Sequence, residues 1–244
     1  MRYFHRMNLK NQHVIVIGGS SGIGLGVAKA SLDAGASVTI VGRSPDKLAA
    51  AAAQLGGVQG LRTFAADITQ EDQAHTLFRE HPPANHVVLT AVYSHAQPIR
   101  QLELIHAHRT IDSKLVAALL IAKHARIELG GSLVFTTGVA ADRPGPSGSI
   151  VAAVNGAVHS LVRALAIELA PIRVNALSPG WVDTPLWDTL AGSAKQQRLE
   201  QHGQRLLTRR TGTPADLGHA ALFLMTNGFT TGEVLNVDGG HRLV

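Results

Sequence analysis

At 244 residues, the chain has the length of one α/β layered domain with a sizeable core, and no linker separates two such cores. It has no cysteine, which excludes disulfides, thiolate chemistry and cysteine-ligated zinc, and its longest uninterrupted apolar run, LVAALLIA at 115 to 122, is too short to cross a bilayer. The formal charge of +5 raises nucleic acid as a partner, but the basic residues are scattered, with only Arg205, Arg209 and Arg210 loosely grouped and no stacking aromatics beside them.

The opening MRYFHRMNLK lacks the apolar core of a signal peptide, so a cytoplasmic protein with neither membrane nor nucleic-acid partner is expected. HVIVIGG (13 to 19) reads as a buried strand, Gly22 to Ala34 as a helix, SVTIVG (37 to 42) as a strand and Pro45 to Leu55 as a helix. VQGLRTF, a helix after Asp67, and HVVLTAV continue the alternation. SLVFTT (132 to 137), a helix from Gly148 to Ala170, IRVNALS (172 to 178), a helix from Pro214 to Met225 and EVLNVDGG complete it. Strand and helix alternate throughout, which argues a doubly wound parallel sheet of Rossmann type with helices on both faces, in one domain over 1 to 244. Only the polar, Gly/Pro-punctuated segment from about 180 to 213 breaks the rhythm, and it reads as a substrate flap in which KQQRLEQHGQRLL forms an amphipathic surface helix.

The strongest chemical signal is GGSSGIG, residues 18 to 24, placed between a strand and a helix. Gly18 and Gly22 let the backbone turn and approach a pyrophosphate, Gly24 lets the helix pack close, and Ser20, Ser21 and Ile23 complete the cradle at the helix N-terminus. The next strand ends in VGRS, where Gly42 supplies no acid for a ribose hydroxyl. Arg43 and Ser44 instead suit a 2′-phosphate, which points to NADP, with NAD the lesser alternative.

These motifs resemble those of the short-chain dehydrogenases/reductases, and the likeness spans nearly the whole chain. The glycine loop is similar to that family's Thr-Gly-x-x-x-Gly-x-Gly, with Ile17 in place of the threonine. By this resemblance Asp67, with Ile68, contacts the adenine, and Thr90 and Ala91 follow the fourth strand beside the cofactor. Asn175, Pro179, Gly180, Val182 and Thr184 in NALSPGWVDT match the segment that closes over the nicotinamide. The resemblance implies seven parallel strands in the order 3-2-1-4-5-6-7, an oxidoreductase activity on a small carbonyl or alcohol, and a homodimer or homotetramer.

The departures from the family are as informative. Counting back from Gly156, the family's lysine falls on Asn155 and its tyrosine on Val151; its serine, thirteen residues before the tyrosine, falls on Gly138, and its asparagine on Lys114. The Asn-Asn-Ala-Gly after the fourth strand is TAVY, residues 90 to 93. Lys114 and Asn155 look like an exchange that returns a positive charge to much the same place. In one reading the chain is an enzyme with a rearranged site: Tyr93, activated near Lys114, or His95 donates the proton, and Thr137 positions a carbonyl. In the other it binds NADP(H) without catalysis, as a sensor or a partner subunit. Taken singly, Lys114 also reads as a solvated helix residue, Tyr93 as a core-edge aromatic and His95 as a loop side chain.

Other features bear less weight. Thirteen histidines invite a metal, but His106 and His108 are two apart on a helix and diverge, and no His-Glu-x-x-His occurs, so no metal centre is expected. Trp181 and Trp187 bracket the start of the flap and either cover an apolar substrate or pack on the domain. The helix AAVNGAVHSLVRALAIELA carries more apolar residues than one buried stripe needs, as helix pairing across a two-fold axis would require.

Overall fold

The computed structural model describes residues 7–244, so the first six residues of the expected domain lie outside it. Seven parallel strands form one sheet in the order β3-β2-β1-β4-β5-β6-β7. They are β1 (His13–Ile17), β2 (Ser37–Gly42), β3 (Leu61–Ala65), β4 (Ala84–Leu89), β5 (Ile127–Thr136), β6 (Arg173–Pro179) and β7 (Val234–Val237). This is the Rossmann-type topology expected, with helices on both faces.

The central strands are β-branched and buried on both faces because each face has its own core. Val14, Val16, Ile40, Val88, Val134 and Leu177 point to the side covered by α1 (Gly22–Asp33), α2 (Pro45–Gln54) and, across the sheet, the long C-terminal helix Pro214–Thr226. The alternate residues Ile15, Ile17, Val87, Leu89, Leu133 and Phe135 point to the other side. There α3 (Glu71–Glu80), α4 (Leu104–Ile111), α5 (Ala117–His124) and α6 (Ser149–Glu168) pack. The period of two along the central strands thus assigns their buried apolar side chains to one core or the other.

Three local differences from the sequence reading follow from tertiary structure. β1 stops at Ile17, because Gly18 has φ +84° and turns the chain out of the strand. β5 starts at Ile127 rather than 132, since the Ala84–Ile127 pairing continues the ladder past an irregularity between Ala84 and His86. Between α4 and α5, the turn Asp112–Val116 is a π-helix, which no periodicity announced.

The segment expected as a flap contains two short helices, α7 (Leu186–Ala191) and α8 (Lys195–Gly203). Its two ends are tied together by Asp183 N donating to Gly212 O and Gly212 N donating to Trp181 O, both 2.9 Å. Lys195 bridges Asp183 and Asp188 at 3.0 and 3.1 Å. The helix Pro214–Thr226, α9, then begins at a capping box in which Thr213 and Asp216 satisfy each other's backbone N–H groups.

Candidate active site

Most residues expected to hold the cofactor stand at or just beyond the carboxyl ends of β1, β2, β3, β4 and β6, because parallel strands deliver those ends to one edge; Asn155, also expected there, comes from α6. At Gly18 the backbone lies against the end of β4: a Cβ there would fall 2.5 Å from Ala91 N and 2.7 Å from Thr90 Oγ1. A Cβ on Gly24 would fall 2.1 Å from Gly18 O, so α1 sits directly on the loop. Ser21 is the N-cap of α1 and its side chain makes no capping bond, nor is there an acidic residue in the first turn. The first N–H groups of α1 therefore face outward uncapped by side chains beside Ser20 and Gly22, as an anionic group at that helix end requires. A nicotinamide dinucleotide fits this cradle.

The remaining cofactor positions are consistent with that fit in different degrees. Arg43 is exposed after β2 and makes no ion pair among the described residues, while the Ser44 hydroxyl accepts from Lys47 N and caps α2. Asp67 uses one carboxylate oxygen to accept from Thr69 N and Thr69 Oγ1, at 3.1 and 2.8 Å, leaving the other for a ligand; Ile68 beside it is buried. The Thr90 hydroxyl donates to Ile17 O. Val182 is buried and paired with Gly212, and it lines a cavity together with Ile23, Pro179, Gly180 and Thr184. Asn175 is structural: it donates to Thr230 O and accepts from Glu233 N, fixing the entry to β7.

That cavity, about 240 Å³, extends from Ile23 and Thr184 to Lys114, Thr137, Val151 and Asn155. The π-helical turn carries Lys114 inward, to 7% exposure, so it is no solvated helix residue. Its Nζ donates to Asn155 Oδ1 at 2.6 Å and to Thr137 O at 2.7 Å, and no carboxylate pairs with it among the described residues. Burial pushes its pKa down to about 7. The exchanged lysine and asparagine thus meet in one hydrogen-bonded pair. Because Oδ1 must accept from Lys114, Nδ2 is oriented toward Gly138, where a Cβ would lie only 3.1 Å from it. The space next to the family's serine position is occupied by the amide, and Val151 lines the wall at the tyrosine position.

Tyr93 lines the same cavity, but its hydroxyl is 2.6 Å from His106 Nδ1, and its partner is therefore the imidazole, not Lys114. Its backbone N donates to Ser113 Oγ, and the Arg109 guanidinium lies 4.0 Å from its ring centre. His95 stacks on His106 at 3.9 Å and is not on the cavity wall, so its expected role as proton donor has no support from its position. The Thr137 hydroxyl donates to Leu177 O, and it is the carbonyl of this residue that serves the site. The sequence raised His106 only as a metal ligand and did not single out His159, whose Nε2 contacts Thr137 Oγ1 at 3.1 Å; His159 lies four residues after Asn155, a spacing that marks a shared helix face. Trp181 and Trp187 are both on the cavity wall and touch each other, with centroids 4.2 Å apart. Asp142 and Arg143 follow β5, and Arg143 donates to His241 O.

Comparison with known proteins agrees with the fold. Residues 17–242 match the family model described as enoyl-(acyl carrier protein) reductase. A short-chain dehydrogenase/reductase of an Acremonium species is 32% identical over 255 residues, spanning 95% of this chain and 96% of that protein. An L-fucose dehydrogenase of Oryctolagus cuniculus is 32% identical over 244 residues, spanning 94% of this chain and 84% of that protein. Among solved structures, the MalC reductase/Diels-Alderase of Malbranchea aurantiaca superposes with a TM-score of 0.90 at 29% identity, over 97% of this chain and 98% of that one.

Proposed function

We propose, on the premise that this chain belongs to the short-chain dehydrogenase/reductase family, that it is an NADP(H)-dependent oxidoreductase interconverting a small carbonyl compound and its alcohol through a rearranged proton-transfer site. The observation that carries this reading is the Lys114 amine, buried in the cavity and pushed down to about 7. When bound, the cofactor supplies or accepts the hydride. The chain's own part is the proton. Two N–H groups of Lys114 are held by Thr137 O and Asn155 Oδ1; the third proton of the ammonium is the one available to a carbonyl oxygen. After giving it up, the neutral amine keeps both of those donations, so the side chain stays in place for the reverse transfer. Asn155 Nδ2 accompanies it as a second donor to the same oxygen. Arg43, with no carboxylate at the end of β2, supports NADP over NAD.

Relatives named for a sugar and for a reductase/Diels-Alderase differ in chemistry, so family membership leaves the substrate open. The test is calorimetry with NADPH together with NADPH oxidation across a panel of carbonyl compounds. Lys114→Met is expected to reduce turnover roughly 10²- to 10⁴-fold while leaving NADPH affinity within a few-fold. An unchanged rate in that variant would remove Lys114 from the chemistry. Tight NADPH binding without oxidation across the panel would favour a sensor or partner subunit instead.

A further inference from the structure

The polar groups of the cavity are unevenly free. Thr110, Thr136 and Thr137 each donate their single hydroxyl proton to a backbone carbonyl, those of His106, Leu89 and Leu177. The Tyr93 hydroxyl is engaged by His106. The side-chain donors that remain toward substrate are the third Lys114 proton and Asn155 Nδ2, the hydroxyls of Ser94 and Thr184, and the indole N–H groups of Trp181 and Trp187. A hydroxyl of a ligand that leaves water for an apolar stretch of this wall and finds no partner there costs about 1–3 kcal/mol.

The rest of the wall is apolar and aromatic. Val139, Val151 and Leu186 line it, as do the rings of Tyr93, Trp181 and Trp187. Trp181 is fixed from behind: its ring stacks on His202 at 3.9 Å and 21°, and its backbone carbonyl accepts from Gly212 N. Trp187 leans on it at 44° from the short helix α7, held there by Trp187 N donating to Thr184 O. Tyr93 stands on the loop after β4 and Trp181 on the loop after β6, and in the sheet β5 lies between them. The aromatic walls therefore flank the end of β5, where Thr137 and Gly138 border the Lys114–Asn155 pair.

We propose that this cleft takes a planar conjugated ketone, an aryl ketone with one oxygen at its reacting end, and that Trp187 is the residue that selects it. The inference rests on the carbonyl-reducing reading above and narrows it to a substrate class. The flat ring system lies against the indoles, and the single oxygen meets the donors gathered at the Lys114 end. Polyols and sugars are disfavoured because the hydroxyl protons of Thr110, Thr136 and Thr137 are already spent on backbone carbonyls and the wall between the ends of the cavity is largely apolar and aromatic.

The test is calorimetric titration of 2-acetylnaphthalene and of D-xylose into the protein, with and without saturating NADP⁺, alongside NADPH oxidation with each. The ketone is expected to bind at least tenfold more tightly than the sugar. Trp187→Leu should weaken the ketone about tenfold, the equivalent of one lost aromatic contact, and leave the sugar unchanged; Trp187→Phe should keep most of the affinity. Sugar binding as tight as the ketone's, no binding of either, or wild-type ketone affinity in Trp187→Leu would overturn the proposal. Ketone binding with no NADPH oxidation would sink the oxidoreductase reading and leave this one standing; oxidation driven by the sugar and not the ketone would do the reverse.

Discussion

Lys114 and Asn155 present an ammonium and an amide to the cavity from two different helices, and their hydrogen bond at 2.6 Å fixes which atom of the amide faces Gly138. On the proposed reading the chemical consequence is a proton donor that works near neutral pH without a phenol. Its sign is definite: Lys114 carries its proton below about 7 and loses it above. If Lys114 is the donor, carbonyl reduction should fall about tenfold per pH unit well above that point, while alcohol oxidation, which needs the neutral amine, rises up to about 7 and levels off above it. Initial rates in both directions between pH 6 and 9 check this, and parallel profiles would contradict it. The Lys114–Asn155 exchange was legible in the sequence because both residues stand at fixed offsets from neighbouring motifs. Tyr93 was misplaced for a physical reason: its hydroxyl partner, His106, is thirteen residues away and arrives by the return of an irregular loop, which no local spacing encodes.

At the scale of elements, β4 and β5 are joined by a buried network as well as by their ladder. His86 on β4 lies within hydrogen-bond distance of Ser132 Oγ on β5 and of Gln12 Oε1 before β1, both at 2.8 Å. Gln12 Oε1 only accepts, so His86 Nε2 donates to it, and in the neutral ring Nδ1 then accepts from Ser132. Burial, and then the Arg173 charge, hold its pKa down to about 4. The unfolded chain binds this proton near 6.5 and the folded one does not, so stability declines as pH falls from about 6.5 to 4, by about 3 kcal/mol at the lower end. Denaturant titrations of His86→Asn across that range should show a flatter pH dependence than the wild type; an equal slope would assign the acid sensitivity to other groups. The strands themselves were readable as β-branched runs. The early start of β5 was not, because Gly130 and Gly131 lie inside the extra length and only pairing with β4 makes it a strand.

For the whole molecule, the open question is what covers α6. Over an 18-residue window this helix has a mean hydropathy of 1.7, long and apolar enough by composition to cross a membrane, yet only 28% of the window is buried. Its inner stripe, Val154, Val158, Val162 and Leu165, belongs to the core. Outside that stripe Ile167 is 81% exposed, and on neighbouring α4 Leu104 and Ile105 are 67% and 59% exposed. We propose that a second copy packs on this surface, in keeping with the apolar excess already visible in the sequence. Light scattering at micromolar concentration is expected to give a dimer or tetramer, and Leu104→Asp with Ile105→Asp a smaller species; a wild-type monomer would refute it.

The π-helical turn at Asp112–Val116 has a consequence for how this site can change. An ordinary helix advances about 100° per residue, so shortening the turn by one residue would swing Lys114 by roughly that angle, away from Thr137 and Asn155, without altering any side chain. The aim of the amine is thus written in chain length as much as in residue identity. On the proposed reading, a single-codon deletion there is expected to disarm the pocket while leaving the dinucleotide cradle, at the far end of the crevice, intact.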